Sequence, residues 1–264
     1  MKKIIYLIGL TIIILYSCQK NKLEAISNQV TTLPTLIEMY NIINTDTDGS
    51  IVIQSQVGID SQDGVRNNNI SASSNESGNA KRNNLFTTIT VGGIVLGSNG
   101  TARPTGSDQN KEVASLFGTD IPISINHYQA KGEGNTESNA HTLYMPKLIS
   151  MTHDIDEISD GTKISWNADS KNKKGVIIRL EYTALTQQEE SISNSNPNNI
   201  TKGFVLPDNG TLTITNSMLK TFPNKANIIV TLARGNIALL DNKDETTYKA
   251  GGITSVMTQA TVSK

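Results

Sequence analysis

A single cysteine in 264 residues excludes an internal disulfide. Aromatic residues make up 5% of the chain, with one tryptophan, so a stacked aromatic platform for sugars has little to be built from. Positive charge is not in excess either: the formal net charge is -1, and about -3 once Lys2 and Lys3 are set aside, so the chain has no basic field for a phosphate backbone and no nucleic-acid partner is expected. A long apolar run is also missing. The longest, Ile4 to Leu15, rises only about 18 Å as a helix, against a hydrocarbon core of about 30 Å. What is abundant is Asn, Ser, Thr and Gly, together about 38% of the chain, the composition of turn-rich β structure facing water.

The short apolar run comes after Met1-Lys2-Lys3 and ends in Leu15-Tyr16-Ser17-Cys18, the order of a signal peptide: basic start, apolar centre, small residue before the cut. Leu15-Tyr16-Ser17-Cys18 resembles the bacterial lipobox. The resemblance implies that residues 1–17 are removed, that the Cys18 sulfur carries a diacylglycerol, and that the new α-amine is acylated. Two or three acyl chains, at about 0.8 kcal/mol per buried methylene, make a lasting anchor where one chain does not. Cys18 is thus the expected lipidation site and the membrane the expected partner. Gln19 after the cysteine, rather than Asp, resembles outer-membrane sorting, with the outward or periplasmic face left open.

Residues 18–32 read as a lipidated tether, and 33–150 as a small N-terminal β domain. Within it, Leu33, Leu36, Ile37, Tyr40 and Ile43 have helical spacing, with Thr35 and Glu38 in capping-box register. From Ser50 the period becomes two, through Ile51, Ile53, Val57 and Ile59. Residues 60–84 lack an apolar rhythm and read as a long polar loop. Leu85, Thr87, Ile89 and Val91 alternate up to Gly92-Gly93, a two-residue hairpin turn, and Ile94 and Leu96 begin the return strand. Ile121, Ile123 and Ile125 alternate again, with His127 closing that row as a hydrogen-bonded boundary residue. Leu143 to Met151 is extended, bent at Pro146.

Residues 151–264 are more regular. Strands are predicted at 163–167, 175–182, 211–215 and 227–233, separated by Asn, Gly, Asp and Pro clusters. Trp166 and Tyr182 take the inward register, which favours core packing over sugar stacking. The strand with Trp166, a turn, and a strand ending in Tyr182 resemble immunoglobulin-like modules, the cysteine-free fibronectin type III kind more than the antibody kind. A weaker resemblance, carried by LFTTITVGGIVL, LYMPKLISM, KISWNAD and NIIVTLARGN, is to uncharacterised lipoproteins of Bacteroidota-type bacteria. It implies architecture and no active-site residues. The predicted fold is all-β: a small β domain and then an immunoglobulin-like β-sandwich.

Three patterns could carry chemistry. Asn44, Asp46 and Asp48 with Gly49 and Ile51 reproduce the first half of an EF-hand or dockerin-like calcium loop. Position 12 is Ser55, where a bidentate carboxylate belongs, so a solvated Asp-Gly turn is the preferred reading. His127, His141 and His153 lack metal-ligand spacing; His153 and Asp154 are adjacent and on a strand would face opposite ways, and Asp156, Glu157 and Asp160 continue as a solvated connector. A nucleophile-elbow motif is absent, Glu189-Glu190 falls in a polar stretch, and Gly97 to Gly106 lacks the Lys-Ser/Thr of a phosphate loop. The expectation is a non-catalytic, membrane-anchored binding or adhesion component with no cofactor. The alternatives are a glycan-binding accessory lipoprotein for nutrient uptake and, less favoured, a metal-dependent enzyme in which the histidines and Asp154 would have to converge.

Overall fold

The computed structural model describes residues 45–59, 66–74, 85–96, 109–129, 137–182, 200–243 and 245–264. In chain order the strands are β1 (Gly49–Val57), β2 (Asn67–Ser74), β3 (Leu85–Val91), β4 (Ile94–Leu96), β5 (Asp120–Gln129), β6 (Glu137–Tyr144), β7 (Glu157–Ile158), β8 (Lys163–Ser165), β9 (Val176–Tyr182), β10 (Ile200–Leu206), β11 (Thr211–Thr213), β12 (Asn227–Asp241) and β13 (Thr247–Val262). Among the described residues two short helices interrupt them, α1 (Gln109–Ser115) and α2 (Asn216–Leu219). The fold is all-β, as the alternating apolar residues predict.

The C-terminal half is a sandwich. β8 pairs antiparallel with β11 in one layer. The other layer runs β10-β9-β12-β13, with β7 added in parallel to the end of β13. Two β layers thus face each other across one apolar interior. That core holds Ile164, Trp166 and Leu212 on one side, and Val176, Ile178, Leu180, Ile228, Val230 and Leu232 on the other, all buried. Tyr182 packs at its margin. The inward register expected for these strands and for Trp166 therefore holds. The indole Nε1 donates to Asp208 Oδ1 at 2.9 Å, which satisfies the one polar atom this ring takes into the core.

A second core gathers Ile51, Ile53, Ile70, Ile89, Val91, Ile121, Ile123, Ile125 and Met145. It is enclosed by the sheet β4-β3-β5-β6, by α1 and by β1 and β2. The expected hairpin is present: Val91 pairs with Ile94 around Gly92 and Gly93, whose φ angles of +56° and +90° are those a tight primed turn demands. The junction of the two cores lies between Met145, which belongs to one, and Ile149, which belongs to the other. The main sheet nevertheless crosses it. β1 pairs in parallel with β13, Gly49 opposite Tyr248 through Val57 opposite Val256, and Leu240, Tyr248 and Ala250 complete the N-terminal core. β12 and β13 are long enough to serve both cores, one at each end.

The 60–84 stretch is not wholly a loop. Residues 67–74 form β2, antiparallel to β1, with Ile53 opposite Ile70 and Ile51 opposite Ala72. Its buried apolar residues are Ile70 and Ala72, each at most 4% exposed, among flanking Asn and Ser residues. Two apolar positions among residues of poor strand propensity leave little rhythm to read. β10, β13 and both helices also go beyond what periodicity predicts. The helix expected at 33–43 and the tether at 18–32 lie outside the described residues.

Candidate functional site

Of the residues singled out in the sequence, Cys18 and Asn44 lie outside the described residues, as do Glu189, Glu190 and the 97–106 segment. Asp46 is exposed. Asp48 is built into the sheet: its Oδ2 accepts from Thr247 N at 2.8 Å, and its own N–H donates to Thr247 O at 2.9 Å. Thr47 Oγ1 donates to Gly49 O at 3.0 Å. The Asp-Gly turn thus starts the parallel pairing of β1 with β13.

The histidines lie on different elements. His127 pairs with Thr87 and Glu137 within the β3-β5-β6 ladder. His141, opposite Ile123, places Nε2 2.8 Å from Asn242 Oδ1 and so ties β6 to the β12–β13 turn. His153, Asp154, Asp156, Glu157 and Asp160 are exposed, and the buried Ile155 and Ile158 anchor the connector. Asp160 Oδ1 accepts from Asn216 N at 2.9 Å at the start of α2. Among the described residues no three His, Cys, Asp or Glu side chains gather closely enough to hold a metal ion.

The organised polar chemistry lies where the two cores meet, at residues that no sequence motif marks. Arg234 on β12 is 1% exposed. Its Nε donates to Lys147 O at 2.7 Å, Nη1 to Asn167 O and Asp208 Oδ2 at 2.9 Å each, and Nη2 to Leu148 O at 3.1 Å and Asn167 Oδ1 at 3.3 Å. All five guanidinium donors are used. Around it the crossing segment 145–150 is held by side chains: Asn167 Nδ2 donates to Leu148 O, Asn167 Oδ1 accepts from Ser150 N, and Thr254 Oγ1 accepts from Ile149 N. Arg66 donates to Ile149 O. An extended segment without a neighbouring strand would otherwise leave these backbone groups unsatisfied in the interior.

Asp169 is the second anchor, 1% exposed. Its Oδ2 accepts from Tyr144 Oη at 2.7 Å and from Lys147 N at 2.9 Å, and its Oδ1 from Lys171 N at 3.1 Å. Burial by itself would raise this carboxyl, but those hydrogen bonds and the Arg234 charge outweigh it and hold it below the ordinary carboxylate range. Tyr144 moves the other way: burial first, then the bond to Asp169 and its charge, push the phenol well above its ordinary value.

Outside this anchor the surface opens into a hollow of about 450 Å³ between Asp120, Tyr144, Asn236 and the 170–174 turn. Lys171 Nζ lies 5.5 Å from the Tyr144 ring centroid and 3.7 Å from Asp120 Oδ2. Two sequence signals mark the region. One is Arg234, a lone charge directly after the apolar-rich run from Ile228 to Ala233. The other is the density of Asn, Asp and Lys in Asn167 to Gly175, which by itself reads as no more than a turn.

No family model and no curated protein matches this chain. Among solved structures, the chain is similar to a Ca2+-stabilized adhesin that helps an Antarctic bacterium reach out and bind ice, at 14% identity over 83% of this chain and 49% of that one, with a TM-score of 0.20. It is similar also to a 1.5-MDa bacterial ice-binding adhesin, at 14% identity over 83% of this chain and 66% of that one, with a TM-score of 0.18. The chain spans about half the length of the first and just under two thirds of the second.

Proposed function

We propose that this protein is a lipid-anchored, non-catalytic binding or adhesion component of a bacterial envelope, held at the outer membrane through Cys18. The observation that carries the binding reading is the junction itself. Arg234, Asp208 and Asp169, its buried charges, are bonded to the protein's own backbone and side chains. These bonds join the two β cores at their meeting point, and the joined cores present turns, sheet edges and a hollow to solvent, which suits a display scaffold. An immunoglobulin-like reading of the C-terminal sandwich adds support by analogy of fold, a general warrant and not a specific one.

Anchorage rests on Leu15-Tyr16-Ser17-Cys18 behind the apolar run. Its test is Cys18→Ser expressed in a lipoprotein-processing bacterium, with envelope fractionation, fatty-acid labelling and intact mass as readouts. The expected result is loss of label, loss of the mature mass and release from the lipid-anchored fraction. A serine variant that still matures to the parent mass and stays with the envelope overturns the reading. The glycan-binding alternative is favoured by one observation, the hollow beside the Tyr144 ring.

A further inference from the structure

We propose that the hollow between Tyr144, Asp120 and the 170–174 turn binds an acidic saccharide, a sugar ring bearing a carboxylate or sulfate group. This deepens the binding reading and rests on it. At about 450 Å³ the hollow falls within the range of small-molecule sites, roughly 300–1,000 Å³. Three lysines, Lys171, Lys173 and Lys174, line it against one exposed carboxylate, Asp120, on a chain whose overall charge is -1.

The backbone that carries these lysines is positioned in advance, and Lys173 Nζ donates to Ser170 O at 2.8 Å. Asp169 Oδ1 takes the N–H of Lys171, Asp169 O takes that of Asn172 at 3.0 Å, and Asn172 Oδ1 takes that of Lys174 at 3.1 Å. Asn172 Nδ2 closes the turn on Gly175 O at 2.7 Å and on Asp208 Oδ2 at 2.9 Å. Two buried side chains therefore fix the backbone that carries all three lysines, and ordering this loop adds no cost on binding. The Tyr144 ring is fixed too, its hydroxyl bonded to Asp169 and its carbonyl to Asn236 Nδ2.

The groups at the rim select the ligand. Among the described residues the Lys171 ammonium is held only by the ring face and by Asp120, with side chains 67% and 57% exposed, a pairing worth little in water and readily exchanged for a ligand anion. Asp120 then stands as a hydrogen-bond acceptor. A bare phosphate finds it repulsive, whereas sugar hydroxyls donate to it. The freed ring face suits the apolar C–H face of a pyranose. An anionic group and hydroxyl donors on one ring meet all three demands.

The test uses the mature full chain in detergent micelles, titrated calorimetrically at low salt with an oligogalacturonate, a sulfated galactose oligosaccharide, neutral dextran and inorganic tripolyphosphate. Expected is binding of one or both acidic sugars, the tighter one naming the anionic group. Lys171→Gln/Lys173→Gln is expected to lose at least tenfold in affinity with its melting temperature unchanged. If neither acidic sugar binds, if dextran or tripolyphosphate binds equally well, or if the folded double variant binds like the parent, the proposal falls. The Cys18→Ser fractionation is independent of every one of these titrations, so either idea can fail alone.

Discussion

At the scale of the residue, Tyr144 and Asp169 act as one unit and make a prediction about pH. The Tyr144 phenol is raised in the folded protein, so its contribution to stability is fully present below about pH 10, its ordinary value, and is lost as pH rises beyond that. Asp169 is lowered, so its contribution is present above about pH 4 and is lost on acidification below it. Tyr144→Phe keeps the ring and deletes the bond to a charged acceptor, at a cost on the order of 1–2 kcal/mol near neutrality. Urea unfolding of parent and variant at pH 7 and above pH 10 is expected to show this gap narrowing at the alkaline end; an unchanged gap would mean that folding does not raise the phenol. At this scale the sequence is legible where a side chain's neighbours repeat, as for Trp166 among inward Ile and Val residues. Asp169 is not legible, because its partners Tyr144 and Lys147 come from a different part of the chain.

At the scale of the element, β1 illustrates both what alternation reveals and what it hides. Gly49, Ile51, Ile53 and Ser55 face inward, and the residues between them do not, a pattern that the period of two makes readable. The constraint imposed by the partner strands is hidden: Gly49 lies opposite Tyr248 on β13 and Ser74 on β2. A Cβ placed there would stand 2.6 Å from the Ser73 carbonyl oxygen and press into the Tyr248 ring. Backbone cannot yield as a side-chain end can. Gly49→Ala is therefore expected to destabilise by about 1–3 kcal/mol, seen as a lower urea midpoint at constant slope, even though alanine is the smallest possible addition. An unshifted midpoint would mean that the β1 edge moves away freely.

At the scale of the whole molecule, the decisive group is Arg234. It lies on the strand that serves both cores and bonds the segment that passes between them. Arg234→Met preserves apolar bulk but strips Asp208 of its cation in the interior, with an expected cost of about 3–5 kcal/mol. Arg234→Lys is expected to recover only part of this, because an ammonium cannot reproduce the planar fork. Chemical denaturation of the two variants beside the parent checks both statements. Equal stability of Arg234→Met and parent would show that the cores are joined by the sheet alone.

The sequence by itself determined the β class, the hairpin at Gly92-Gly93 and the inward faces of the C-terminal strands, because each depends on residues a few positions apart. Tertiary structure alone decided the parallel pairing of β1 with β13, the strand hidden at 67–74, the Arg234 clamp and the lysine-lined hollow. Those depend on which distant strands share a ladder and which buried polar groups find partners across it, and local periodicity carries no record of either.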